Sequence, residues 1–466
     1  MFLWEKARKQ WRNWRAAGAS ARVLKWIKSG VPCYWETGPP KARWHKGNSC
    51  VGLKPEEESW LEREEERCQA SGAWKRISEK EARYVSKAFL VDKAGLDSEG
   101  RKRYRLVVDL RPLNVSCKEF HSRFETLSRL GTMIPEGEEA AFLSFDLADG
   151  YNVLQIDESH KQYFQFQIQG RYYQCECMPF GWNQAGWAFC TAMKVLTRLL
   201  RSQGAPTPAE MATAGERLVA EVKSTMEVLR VGNRRVALQS LEQTAEGPAR
   251  VRWHILPYCD DYLIVILGAT VEDRIRHSRE ARSECEDALD FLGLQRQPSK
   301  GQWEAKNWVH HWGLRIETAG GKGMFLVTPE RVKKIRALAS SMLSRAYRER
   351  RLSPAKTVAA FCGLVQSCYL AIPAAQLFQR SLHDDLSTRV SWSSKVRLCR
   401  QSLRDLEWWS QMPERWNGRP IAREAVTRLL YMHGRERLRV GGGCWRRGIC
   451  QRSRQRRLVW TCRESA

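Results

Sequence analysis

No stretch of the 466-residue chain holds the roughly 18 consecutive apolar residues that a membrane-crossing helix needs, so no membrane partner is expected. The opening Met1-Phe2-Leu3-Trp4-Glu5-Lys6 lacks the apolar core of a signal peptide, which points to an intracellular protein, cytoplasmic or nuclear and not secreted. Acid is in short supply. Against 78 Lys and Arg stand 52 Asp and Glu, a net charge of +26 that favours a polyanionic partner, nucleic acid ahead of a membrane surface. The shortage is most severe at the end, where residues 423–466 hold twelve Arg and three Glu but no Lys and no Asp. With Gly441-Gly442-Gly443 in its middle, that tail has neither acidic metal ligands nor an evident core and reads as disordered. Cysteine is plentiful, at fifteen, but its spacing is wrong for zinc: Cys175-Glu176-Cys177 is too tight, and His433, Cys444, Cys450 and Cys462 fit no zinc framework. Scattered thiols in a charged chain without a leader suit a reducing compartment.

The scarce acids are concentrated where they matter. Leu256 to Ile266 reads as two short apolar strands meeting at a tight turn, with Asp260 and Asp261 at the tip. Neighbouring strand residues point to opposite faces, so a turn is needed to aim two adjacent carboxylates at one place. Carboxylates so close repel unless a cation sits between them. Hard oxygen ligands beside a phosphate site suit Mg²⁺. A polar hairpin tip is the bland alternative. A third acid, Asp146, ends another apolar strand, Phe142-Leu143-Ser144-Phe145. Two-metal phosphoryl transfer draws ligands from more than one segment, with the ions roughly 3.5–4 Å apart.

These segments resemble the reverse transcriptases, right-hand polymerases built of fingers, palm and thumb. Asp146 falls in the first palm motif, and Tyr258-Cys259-Asp260-Asp261 matches the family's Tyr-x-Asp-Asp. The likeness covers roughly residues 60–420, with the motifs in the family's order, and is most similar to retrotransposons that integrate with a tyrosine recombinase, the DIRS group. It implies an α/β (α+β) fold with an antiparallel palm sheet, mixed fingers and a helical thumb. It also implies an RNA-directed DNA polymerase that takes an RNA template, a DNA primer or duplex and deoxynucleoside triphosphates. The metal set implied is Asp146, Leu147, Asp260 and Asp261, holding two Mg²⁺ ions, with Mn²⁺ as a substitute. No pattern sets an oligomeric state.

Further positions carry over by motif. Residues 85–114 read as a basic hairpin in which Arg105 matches the family's phosphate-binding Arg and Lys93 lies near its fingers Lys. Asp149, Gly150 and Tyr151 follow the first acid, and the Tyr is the family's steric gate against a ribose 2′-OH. Phe180 and Gly181, in Met178-Pro179-Phe180-Gly181, resemble the motif that holds template and nucleotide sugar, although Gly186 stands where the family usually has Pro. Lys300 resembles the Lys near the nucleotide phosphates, with a plain turn lysine as its alternative. Trp312, Gly313 and Leu314 look like the primer grip. The adjacent His310 and His311 diverge on a strand and do not read as a metal pair.

Domain bounds follow. Residues 1–54 form a basic, tryptophan-rich extension and linker. Residues 55–324 form fingers and palm, with 201–252 a surface insertion. Residues 325–420 form a helical thumb or connection, and 421–466 the Arg-rich tail. In the extension, Trp4, Trp11 and Trp14 recur at helical spacing among Lys and Arg. Two readings stand there: a clamp with cations on phosphates and indoles stacking, or short amphipathic helices packing Trp onto the body. Acid-rich residues 55–67 read as a helix with a solvated face. In the thumb, helices are expected from Pro329 to Arg350, from Pro354, and from about Lys395 to Gln411. Met432 to Gly442 can be encoded so that reading one base later gives a peptide like the first ribonuclease H motif, which makes the tail a candidate frameshifted start. An RNA-templated RNA polymerase and an inactive nucleic-acid-binding remnant are the rival functions.

Overall fold

The computed structural model describes residues 2–41, 50–204, 251–412 and 416–421, apart from Ser98 and Arg123, together with three strands between 439 and 462. The chain divides into two units, 1–423 and 424–466.

The first unit is built around a three-stranded antiparallel sheet in the order β5 (Ala141–Asp146), β9 (Asp261–Ile266), β8 (Trp253–Tyr258). Its strands are almost continuously apolar because both faces are covered. Along β9, Tyr262, Ile264 and Ile266 enter one core while Leu263 and Val265 enter another, the period-two alternation of a strand. The Phe145 and Tyr262 rings stack at 4.9 Å across the strand pair.

Two long helices supply the first core. The helix Ala185–Gly204 buries Ala188, Phe189, Ala192, Met193, Leu196 and Leu200. The helix Val271–Leu292 starts on a Thr270–Asp273 capping box, ends at Gly293 in the left-handed region, and buries Ala281, Cys285, Ala288, Leu289 and Leu292. Its carbonyl end is closed from a distance: the Trp14 indole donates to Leu292 O (2.8 Å) and Asn13 to Phe291 O (2.8 Å). These residues lie in the second of three short helices, Leu3–Lys9, Trp11–Ala16 and Ala21–Ser29, which open the chain. Trp14 and Trp26 are fully enclosed. Backbone bonds Val31 N to Gln155 O (2.8 Å) and Asp157 N to Val31 O (3.0 Å) bind the end of this segment to the body.

Ahead of the sheet, the helix Pro55–Ala70 packs beside a four-stranded sheet, β1 (Trp74–Ile77), β7 (Arg171–Cys175), β6 (Gln165–Ile168) and β2 (Val85–Ser86). A separate hairpin, β3 (Ala88–Leu96) with β4 (Lys102–Val108), carries the basic residues as expected. The acidic helix is not wholly solvated. Glu65 is buried, accepting from the Tyr173 hydroxyl and pairing with Arg171 at 3.1 Å.

The second core lies under β10 (Trp308–His311), β11 (Leu314–Glu317) and β12 (Met324–Val327), with helices Pro329–Arg348, Ala355–Gln366, Arg380–Ser387 and Arg400–Gln411. Two expectations need correction. The first helix ends two residues earlier than expected, with Arg350 and Arg351 in the left-handed region. The last does not begin at Lys395: Lys395–Arg397 pairs as strand β14 with β13 (Leu352–Pro354), and the helix starts after Cys399, whose thiol accepts from Ser402 N. Val396, buried and β-branched, suits that ladder.

In the second unit, strands β15 (Arg439–Val440), β16 (Gly443–Ile449) and β17 (Leu458–Cys462) form an antiparallel ladder. The expectation of disorder is corrected at these strands, where Leu458-Val459-Trp460-Thr461-Cys462 is a β-favouring run. Residues 205–250, nearly all of the expected insertion, lie outside the described residues.

Candidate active site

The acid turn takes its shape from hydrogen bonding and local conformation. β8 and β9 pair with Tyr258 opposite Asp261, leaving Cys259 and Asp260 as a two-residue loop. Cys259 has φ of 57°, the positive value that the first central residue of a II′ turn requires and that glycine usually supplies. A non-glycine residue held there is a mark of functional backbone strain. β5 then brings the third acid alongside, with Asp146 the direct register partner of Asp261. The chain after Asp146 is threaded between two segments. Leu147 N donates to Asp260 O (2.8 Å), while Gln297 N donates to Asp146 O (2.8 Å) and Ala148 N to Gln295 O (2.8 Å). Residues 114 positions apart are thereby held at one sheet edge. Gly150 leaves room for Phe189 of the helix behind the sheet, whose ring a Cβ there would meet at 2.9 Å.

Electrostatics follows from this crowding. Burial, and then the charges of Asp146 and Asp260, push the Asp261 carboxyl up to about 7, with Lys300 pulling the other way. The Lys300 ammonium sits 2.7 Å from Asp146 Oδ2, and that contact raises its own pKa. Its position is fixed from beneath: Gly301, with φ of 79°, rests on the Ser144 carbonyl so closely that a Cβ would be 2.3 Å away. Among the described residues no three His, Cys, Asp or Glu side chains already form a closed metal cage. The donor set nonetheless fits a hard divalent cation: three carboxylates from two segments, one of them raised by burial and by the like charges beside it.

A cleft of about 540 Å³ opens beside the acids, lined by Lys93, Arg103, Arg105, Asp149, Tyr151, Phe180, Asp260 and Lys300 among others. It gathers the expected nucleotide residues, apart from Gly181, from five segments. Lys93 is lowered by partial burial and by Arg103, Arg105 and Lys300, with Glu64 pulling weakly the other way, the sign expected where cations converge. The Arg105 guanidinium lies 5.6 Å from the Phe180 ring centre, and Phe180 packs on Tyr151 at 4.8 Å, so one cation–aromatic chain runs across the cleft. Tyr151 also meets the Phe189 ring edge-on at 5.3 Å. Gly186 lies under Tyr151, where a Cβ would stand 3.4 Å from the hydroxyl, at ordinary contact. Gly181, with φ of 96°, offers its carbonyl to Asn114 (2.8 Å). Asp109 and Arg111 make a forked ion pair at the foot of the hairpin.

Trp312 and Gly313 form a two-residue I′ turn, with φ of 50° and 73°, between β10 and β11, and Leu314 returns into the core. The Trp312 ring lies 4.3 Å from that of Tyr258, and the Phe124 ring lies 4.8 Å from Tyr258. His310 faces out and His311 in, as strand alternation requires.

Two residues escaped the sequence reading. His311 is buried with Nδ1 3.6 Å from Asp261 Oδ2, and burial lowers it to about 4, so it stands neutral behind the acid. Arg67, on the acidic helix, reaches Asp149 Oδ2 at 3.2 Å while forked onto Glu64. Neither has a local signal, because both contacts span at least 50 residues of chain.

Known proteins share parts of this chain. Residues 91–316, just under half of the chain, match the family described as reverse transcriptase (RNA-dependent DNA polymerase). This segment contains every residue expected at the site. The relatives of this chain are polyproteins. Over 120 residues it is 31% identical to the retrovirus-related Pol polyprotein from transposon gypsy of Drosophila melanogaster, covering 26% of this chain and 11% of that protein. Over 104 residues it is 29% identical to a putative enzymatic polyprotein of Cassava vein mosaic virus, covering 22% and 15%. The chain thus spans less than a sixth of either relative's length. In fold it is similar to a foamy viral protease-reverse transcriptase solved with double-stranded DNA, with TM-score 0.50 and 13% identity over 87% of this chain and 59% of that one.

Proposed function

We propose that the chain is an RNA-directed DNA polymerase of a retrotransposon, similar to the DIRS group in its motif pattern and its Trp26-Ile27-Lys28-Ser29-Gly30-Val31 lead-in. The observation that carries the activity is the meeting of Asp146 with Asp260 and Asp261 at one sheet edge, beside a cation-lined cleft. Asp146, Asp260, Asp261 and the Leu147 carbonyl would hold two Mg²⁺ ions, or Mn²⁺ in their place. Bound there, divalent ions would lower the charge on the attacking and leaving oxygens of an in-line displacement.

The protein's own part is positioning and charge neutralisation. Lys93 and Arg105 bind the triphosphate of the incoming deoxynucleotide. The Asp149–Gly150 backbone and Tyr151 seat its sugar, and Tyr151 overlaps a ribose 2′-OH. Phe180 and Gly181 support the base pair with the RNA template. Trp312, Gly313 and Leu314 hold the DNA primer so that its 3′-OH attacks the α-phosphate. Pyrophosphate departs, and Lys300 is placed to leave Asp146 and give it a proton. Lys300→Ala should therefore lower kcat by roughly 10²-fold, the low end for loss of a general acid, with primer–template affinity unchanged.

Extension of a DNA primer on an RNA template tests the proposal. Asp260→Asn should abolish extension and keep template binding, whereas extension at the unmodified rate would refute the site. A preference for ribonucleotides would favour the RNA polymerase reading, which Tyr151 opposes.

A further inference from the structure

The three N-terminal helices lie outside the segment that matches the reverse transcriptase family, and no step above uses them. Residues 1–30 hold eight Lys or Arg against a single Glu, so more than a quarter of the net charge of +26 sits on a small part of the chain. The structure separates the two halves of this composition. The indoles turn inward: Trp14 and Trp26 are fully buried, and Trp14 closes the end of the helix Val271–Leu292. The cations turn outward: Arg8, Arg12, Arg15, Arg22, Lys25 and Lys28 are exposed. None of these six forms a salt bridge with an acid among the described residues.

Two observations make the cations one surface. Arg12, from the second helix, and Lys28, from the third, lie over the same Trp11 ring at 5.2 and 4.5 Å, which joins the charged faces of the two helices. The surface is also anchored. Gly293 packs so tightly on the first helix that a Cβ would meet the Lys6 backbone at 2.6 Å, and the segment ends in backbone bonds to Gln155 and Asp157. Packing indoles inward and clamping phosphates are therefore compatible uses of one segment.

We infer that this face is a docking surface for the sugar-phosphate backbone of RNA, separate from the cleft that holds the nucleotide. The charge has the sign and density that a polyanion selects. With Trp14 and Trp26 committed to the core and Trp11 capped by two cations, few faces remain for stacking bases. Contacts then fall on phosphates, and binding is indifferent to sequence and steeply dependent on salt.

The test is the salt dependence of binding to a long unstructured RNA, followed by fluorescence anisotropy without nucleotide. The chain is compared with a variant carrying Arg12→Gln, Arg15→Gln, Lys25→Gln and Lys28→Gln, all exposed positions. Each phosphate contact contributes roughly 0.7 to the slope of log affinity against log salt for a single strand, so the variant's slope should be shallower by roughly three. Changing the RNA sequence should leave the slope alone. A slope changed by less than one contact overturns the inference, as does loss of binding to phosphatidylserine vesicles with RNA binding unchanged. A thermal melt matching the parent's shows that the variant folds, and an Arg8→Gln, Arg22→Gln variant repeats the measurement if it does not. Asp260→Asn should keep the full slope while losing extension, so this surface and the polymerase site fail independently.

Discussion

The acid turn and the N-terminal helices are both charged beyond the average of the chain, yet they use charge in opposite ways. At the turn, three carboxylates are half-buried and held together by sheet register, so burial first and their mutual repulsion second raise Asp261, and the Lys300 ammonium is drawn to Asp146. On the N-terminal helices, six cations face water, where repulsion is screened within about 10 Å at 0.1 M salt. Confinement makes a few charges chemically specific, and exposure makes many charges collectively adhesive.

Substitution should break this comparison most sharply at the turn. Asp146→Asn should reduce extension by more than the roughly 10²–10³-fold that follows loss of one electrostatic contact to a transition state, measured as single-turnover incorporation. The nearest equivalent among the N-terminal helices is not a cation but an indole. Trp14→Ala should cost about 3–5 kcal/mol, as large-to-small changes of buried aromatics do, read from denaturant unfolding. If it costs nothing, the helices are not anchored and the contrast fails. Arg105→Ala comes next: loss of one charge-assisted phosphate contact of about 1.5–3 kcal/mol should raise KM for deoxynucleotide roughly ten- to a hundredfold and leave the salt slope of RNA binding unchanged.

The remaining effect is one of pH. The Asp261 carboxyl is held near 7 in the folded protein and titrates near 3.8 when free. Between those values the folded state keeps a proton that the unfolded state has lost, so this group's contribution to stability falls as pH rises from about 4 to about 7 and is level above. Subtracting the pH-dependent melting curve of Asp261→Asn from that of the parent, both free of metal, isolates the slope. A difference that rises with pH contradicts the crowding at the turn.

What was legible in the sequence follows the range of the forces involved. Apolar strands ending in acids, the tight turn between them and the basic hairpin are local patterns, and the strands and their tip were read from them, whereas the residues of the cleft came from the resemblance to reverse transcriptases. Arg67, His311 and the Lys395–Arg397 strand depend on partners at least 40 residues away, and no local pattern marks them. The N-terminal tryptophans posed an apparent choice between packing and binding because composition cannot say which way a side chain faces. Charge at the site was legible in kind but not in state: the order Asp260, Asp261 does not reveal which carboxyl is buried, nor that Lys300 rests on Asp146.

Mn²⁺ binding, followed by the loss of the free-ion electron paramagnetic resonance signal at neutral pH, tests the convergence of the three acids most directly. The chain should take up Mn²⁺ with an affinity that strengthens as pH rises through 7, and Asp146→Asn combined with Asp260→Asn should lose that uptake while melting no lower than the parent. Equal uptake by the parent and the double variant would mean that these carboxylates hold no metal.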